Sequence, residues 1–420
     1  MIFLYLYIIA VFIRPQDWMP VFHGFPVSYV LIPAGLLWGA FLGEKREKQV
    51  KTSLEILVFV YIGVILMSVL LSYGKHHDPV GEMVMWVQRG LVFTMVLLNV
   101  KDEKALARGI AFFLIVVTVL GVQAVQQGVT GVGWAGVTPH PGYDVVRVRW
   151  VGDWDGPNVY GLILATAGSM LLEFAWSRKN SIQRVLAVLG FIVALAGIYY
   201  TNSRGSVLAM CSGILFVGIF RFAKNAKVLT RAIIIIVLGL IIISQFMPGR
   251  MKELSSSDSS AHERTWMWER GLRMLRANPL LGVGKGIFAP KTGLRAHNNY
   301  VQVFAETGLV GFFIWMGILY FAFKPVSCYT LRSADSELDV QSRMLLVGLG
   351  VYCIATFFIT LENDSLFLLL GFMACAQRLM IAKGRCLGLD GFGKKDARII
   401  LLSMVLVLVA IWLIAINEII

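Results

Sequence analysis

The chain has 420 residues, of which 57% are hydrophobic and only 15% charged, against roughly 25% charged in soluble domains. Its mean hydropathy of +0.73 excludes an ordinary soluble enzyme. The net charge of +13 does not point to nucleic acid, because the cytoplasmic loops of membrane proteins are basic as a rule.

In chain order, the first apolar run, residues 1–13, lacks a basic leader and a small-residue cleavage site and reads as a retained span. A crossing needs about 20 apolar residues. On that basis further spans are predicted at 26–43, 54–73, 83–100, 105–125, 157–176, 183–201, 205–222, 228–247, 301–323, 343–361, 364–382 and 398–417. The chain is therefore expected to be an all-α polytopic membrane protein of about 12–13 transmembrane helices, forming a single transmembrane domain over 1–420. Clusters such as Lys45, Arg46 and Lys48, or Lys101, Lys104 and Arg108, mark one set of short loops as cytoplasmic. The opposite short loops hold little beyond Arg14, Lys75 and Arg204. Five cysteines, Cys211, Cys328, Cys353, Cys375 and Cys386, lie in or beside apolar runs without a CxxC, so neither a disulfide framework nor a zinc site is indicated.

Two longer segments on the outer side are basic, and the topology rule gives no reason for them to be. The first, 126–156, is glycine-rich; Val145, Arg147 and Arg149 then alternate with Val146, Val148 and Trp150, which predicts a short strand-like run. It ends at Asp153, Asp155, Pro157 and Asn158, with proline in the first turn of the next span. Asp153 and Asp155 form a weak metal candidate; helix capping or loop bonding explains them better. Between two later spans, residues 201–206 make a tight outer turn holding Arg204.

The second segment, 248–300, carries the chemistry. Ser260 and Glu263 predict a capping box opening an amphipathic helix over 261–277, which Asn278-Pro279 stops. Met267, Gly271 and Met274 define one face of it, and Arg270, Arg273 and Arg276 another. A glycine-rich passage, 282–286, follows, and His297-Asn298-Asn299-Tyr300 stands where the next span begins. On these residues alone, His297 reads first as a helix cap, and Arg270, Arg273 and Arg276 as a solvated or headgroup-facing stripe. Arg89 lies inside a span, where a charge costs roughly 2.5–3.5 kcal/mol, and must face the bundle interior toward a structural partner or a phosphate. Glu306 is expected to pair with an arginine. Trp150, Trp154, Trp266 and Trp268 are expected to be interface anchors, and His76, His77 and His140 loop residues.

The runs NPLLGVGKGIF and HNNYVQVFAETGLVGF, with TNSRGS and RWVGDWDGPN upstream, resemble the O-antigen ligase superfamily, which also holds O-antigen polymerases and protein O-oligosaccharyltransferases. The opening FIRPQDW resembles a ligase-like subgroup. The resemblance implies a C-type glycosyltransferase-like fold with a long periplasmic loop. It implies transfer of a preassembled glycan from undecaprenyl diphosphate to lipid A-core at the periplasmic face of the bacterial inner membrane, with no cofactor and no metal. By the same resemblance Arg204, Arg264 and His297 are the catalytic residues; Arg89, Arg149, Arg270, Asn158 and Asn298 are expected to bind substrate beside them. The chemistry agrees: breaking a sugar–phosphate bond leaves charge on the diphosphate, which arginine forks stabilise without losing a proton. A histidine base would take the acceptor's proton, and a single displacement would invert the anomeric centre. Polymerization and protein glycosylation are the nearest alternatives. A flippase is disfavoured because the charges gather at one face rather than at the midplane.

Overall fold

A computed structural model describes residues 1–42, 51–72, 74, 78–141, 145–222, 259–325, 336–385 and 391–416. The helices are α1 (Ile2–Phe12), α2 (Val27–Leu37), α3 (Ser53–Leu71), α4 (Pro79–Asn99), α5 (Glu103–Thr130), α6 (Pro157–Ser177), α7 (Ser181–Thr201), α8 (Arg204–Phe222), α9 (Ser259–Ala277), α10 (Phe288–Thr292), α11 (Asn299–Phe323), α12 (Glu337–Ala355), α13 (Asp364–Ala382) and α14 (Lys394–Ala415). Among the described residues there is no strand, and ten helices are long and apolar enough to cross a membrane. The protein is an all-α polytopic membrane protein. The expected span 228–247 lies outside the described residues, as do His76, His77, Cys328, Cys386 and the first part of the 248–300 segment.

Local chemistry sets the ends of these helices. The side chains of Thr52, Asp102 and Ser336 each accept a hydrogen bond from an amide of the first turn they precede. The Ser336 cap, reciprocated by Asp339, starts α12 at Glu337. It therefore ends at Ala355, and the predicted span 343–361 is corrected by six residues at each end. This leaves 356–363 as an irregular loop at the end of the bundle.

With no water to expel between helices in lipid, close contact must come from small residues. α6, the most enclosed of the early helices, meets α7 this way: a Cβ on Gly168 would lie 2.8 Å from the Ala194 Cβ. The run 145–150 is extended but pairs as no strand. Val148 N donates to Tyr200 O, and Asn202 Nδ2 to Val146 O, so the run lies along the end of α7. Trp150 and Trp154 are fully buried, correcting their reading as interface anchors. Their indole N–H groups donate to the carbonyls of Phe12 and Val11, which the end of α1 leaves without helical partners.

Candidate active site

α11 begins where Asn298 caps it: Oδ1 accepts from Tyr300 N at 2.9 Å and Val301 N at 3.2 Å. Asn298 thus fills the capping role that the bare sequence offers to His297. His297 sits just before, with φ +50, in the left-handed region where histidine is enriched among non-glycine residues. The turn is braced on both sides. Ala296 N donates to Gln302 Oε1 at 3.1 Å, and Ala296 O accepts from Trp268 Nε1 on α9 at 3.1 Å. The imidazole itself makes no hydrogen bond among the described residues. Burial first, then the charge of Arg264, holds its pKa below the usual histidine value against the pull of Glu263, with Arg295 lowering it further. The shift favours the neutral imidazole, the form that can accept a proton.

The two sequence blocks that flank this turn pair with each other through backbone. α11 breaks at Gly308 (φ +65, ψ −166), and the freed groups are taken up by the 279–286 loop. Leu309 N donates to Pro279 O at 2.8 Å, Val283 N to Ala305 O at 2.9 Å and Gly284 N to Glu306 O at 3.0 Å. A Cβ on Gly308 would stand 2.3 Å from Leu280 O, and one on Gly282 2.4 Å from the Glu306 carbonyl carbon. Both glycines are required by this approach, a role their sequence context does not reveal. Irregular backbone inside a helix bundle is tolerated where other protein groups satisfy it, as the 279–286 loop does here.

That loop delivers Lys285 into the bundle. Its ammonium pairs with Glu362, and lies 3.1 Å from Glu306 Oε2. Burial opposes its charge, but the two carboxylates outweigh burial and raise its pKa above the usual lysine range. Glu306 therefore pairs with a lysine rather than with the expected arginine. Tyr61 donates to Glu362 Oε1 at 2.8 Å, and Gln302 Nε2 to Glu306 Oε1 at 2.7 Å. Gln302 thus links the buried charges to the His297 turn. Beside them lies a cavity of about 180 Å³ that also includes Glu82, Arg89, Arg295 and Thr360 in its lining. Sequence reasoning missed Lys285, Gln302 and Glu362. The four-residue spacing of Gln302 and Glu306 was a usable signal; nothing distinguished Lys285 from its basic neighbours.

The other expected residues fall around this end of the bundle. Arg204 opens α8, and the adjacent Gly205 packs on Phe358 of the 356–363 loop. Phe357 of the same loop meets the rings of Trp268 and Tyr300. The loop therefore joins the starts of α8 and α11 and the middle of α9. Trp268 is buried core, not an anchor, and Gly271 lets α9 press against Val301. Arg270 is exposed, its guanidinium 4.7 Å over the Trp266 ring, while Arg273 pairs with Glu269. Arg149 is held by Asp155 at 2.9 Å and the Thr138 carbonyl at 3.0 Å. Asn158 accepts from Arg147 Nη2 at 3.2 Å, and Asp153 lies 3.9 Å from Arg14. Arg89 stacks 4.4 Å over Trp86, and its Nε has no hydrogen-bond partner.

A family model described as O-antigen ligase matches residues 186–316, from within α7 to within α11. It takes in Arg204, Arg264, Lys285, His297 and the Gly282–Gly308 contact. Over this stretch the chain is similar to the O-antigen ligase family. The chain is also similar to "Exopolysaccharide production protein ExoQ" of Rhizobium meliloti (strain 1021), at 22% identity over 236 residues, covering 45% of this chain and 53% of that protein. The match thus spans about half the length of that curated relative.

Proposed function

We propose that the protein transfers a preassembled glycan from undecaprenyl diphosphate to lipid A-core at the periplasmic face of the inner membrane, on a C-type glycosyltransferase-like fold. The observation that carries the reading is the His297 turn: an imidazole with no hydrogen bond among the described residues, on a braced left-handed backbone, with Arg264 close enough to depress its pKa. In the step proposed, the acceptor hydroxyl oxygen attacks the anomeric carbon and its proton passes to His297. The bond from that carbon to the phosphate oxygen breaks, and its electron pair leaves with the diphosphate. Arg264 and Arg204 meet the charge that develops there. The anomeric configuration inverts, and no step calls for a metal.

One observation favours a second reading. The relative is named for exopolysaccharide production, which suits a polymerase whose acceptor is another lipid-linked glycan. Purified protein given undecaprenyl-diphosphate glycan, lipid A-core and a chelator distinguishes them. Ligation by the unmodified chain, lost in His297→Ala, supports the ligase. Glycan-on-glycan products without lipid A-core products replace it with the polymerase.

A further inference from the structure

The cavity between α4, the 279–286 loop and the 356–363 loop contains more chemistry than the transfer step uses. Arg89, Lys285 and Arg295 face Glu82, Glu306 and Glu362 across about 180 Å³. The formal charges cancel. A diphosphate placed here would meet three carboxylates, and a prenyl tail would meet six charged groups, so neither part of a lipid carrier suits it.

The hydrogen bonding of the lining is incomplete in a specific way. Arg89 Nε, in a side chain more than nine-tenths buried, has a proton to donate and no acceptor. Thr360 Oγ1, which both donates and accepts, has no partner. Buried polar atoms left this way cost about 1–3 kcal/mol each unless something completes them. The complement is a neutral molecule that presents donors and acceptors together, as a sugar ring does through its hydroxyls. At ~30 Å³ of liquid volume per water, the space suits about six waters or one such ring. The cavity also adjoins the proposed base, since Arg295 precedes His297 by two residues and Gln302 holds Ala296 N.

We infer that this cavity is a subsite for one uncharged sugar residue of a glycan substrate, seated beside His297. The inference rests on the glycosyl-transfer reading and adds where the sugar binds. Arg89 and Thr360 would hydrogen-bond it, while Gly286 and Ala289 leave it room.

The test uses full-length protein in lipid vesicles with a diazirine-bearing sugar placed either in the undecaprenyl-diphosphate glycan or in the lipid A-core acceptor. Ala289→Trp fills the cavity without removing a charge, and Thr360→Val deletes one unpartnered hydroxyl. In the unmodified chain, light should attach the probe to peptides from 285–302 or 360–362, and the arm that labels identifies whether donor or acceptor supplies the ring. Ala289→Trp should abolish that label and raise KM for the same substrate at least about tenfold, with Thr360→Val smaller in the same direction. Transfer by all three chains, with label elsewhere and KM unchanged, overturns the subsite and leaves the transferase standing. No transfer or labelling by the unmodified chain overturns both.

Discussion

The two ends of the helix bundle hold their cations differently. At the end where α3, α5, α12 and α14 begin, arginines and lysines meet carboxylates. Arg378 grips Glu55, Arg178 reaches Glu337 at 2.5 Å, Arg343 and Arg221 share Glu173 at 2.9 and 2.5 Å, and Lys324 meets Asp396 at 3.0 Å. At the end where α8, α11 and α13 begin, Lys285, Arg149 and Arg273 are paired as well, but Arg89, Arg270 and Arg295 have no carboxylate partner among the described residues, and an imidazole stands beside Arg264. Paired charges near a membrane surface hold helices in register. Charges left without a carboxylate, next to a polar cavity, are available to a ligand.

The sharpest way to break this contrast is to mutate one group at each end and measure both activity and stability. His297→Ala should lower the transfer rate by about 10² to 10⁴ and leave thermal unfolding in detergent unchanged. Retained transfer, or a collapse in melting temperature, would make the site end structural like the other. Glu173→Ala should do the reverse. It removes the carboxylate that Arg343 and Arg221 share, and loss of one partner from a buried pair costs about 3–5 kcal/mol, read as unfolding at lower denaturant with transfer per folded molecule intact. Gly308→Ala tests the link between loop and helix. Its φ of +65 and the 2.3 Å approach to Leu280 O predict a loss of about 1–3 kcal/mol. Transfer should fall as well, because the loop that carries Lys285 must shift.

The sequence made the helical frame legible because hydropathy period and length suffice in lipid, where backbone must satisfy itself. It also showed that two basic segments were out of place, and that His297 opened a span. Contacts between distant residues were not legible. Lys285 meets Glu362 across 77 residues and Glu306 across the α11 break, and a glycine-rich passage reads as a flexible turn until its partner backbone is seen. Trp150 and Trp154 misled for a similar reason. Aromatics near a span end suggest an interfacial belt, yet both indoles cap a helix that precedes them by more than a hundred residues. Residues 356–361 were assigned to a span because the run is largely apolar, and composition cannot separate such a loop from a helix end.

The smallest effect expected is also the most specific. His297 has a lowered pKa because burial and Arg264 disfavour its charged form, while Glu263 favours it. A base works when unprotonated, so kcat/KM should be flat near neutrality and fall as pH drops through that lowered pKa. Arg264→Gln removes a neighbouring positive charge, raises the imidazole pKa and should move the acid limb toward higher pH, whatever it does to the plateau through lost diphosphate contact. Glu263→Gln removes the opposing negative charge and should move the same limb toward lower pH. Glu173→Gln, at the far end, should leave the limb where it is. Opposite shifts from adjacent residues cannot arise from loosened packing, which would move both variants the same way, so this pair of pH profiles separates a titrating base from a histidine that only shapes its turn.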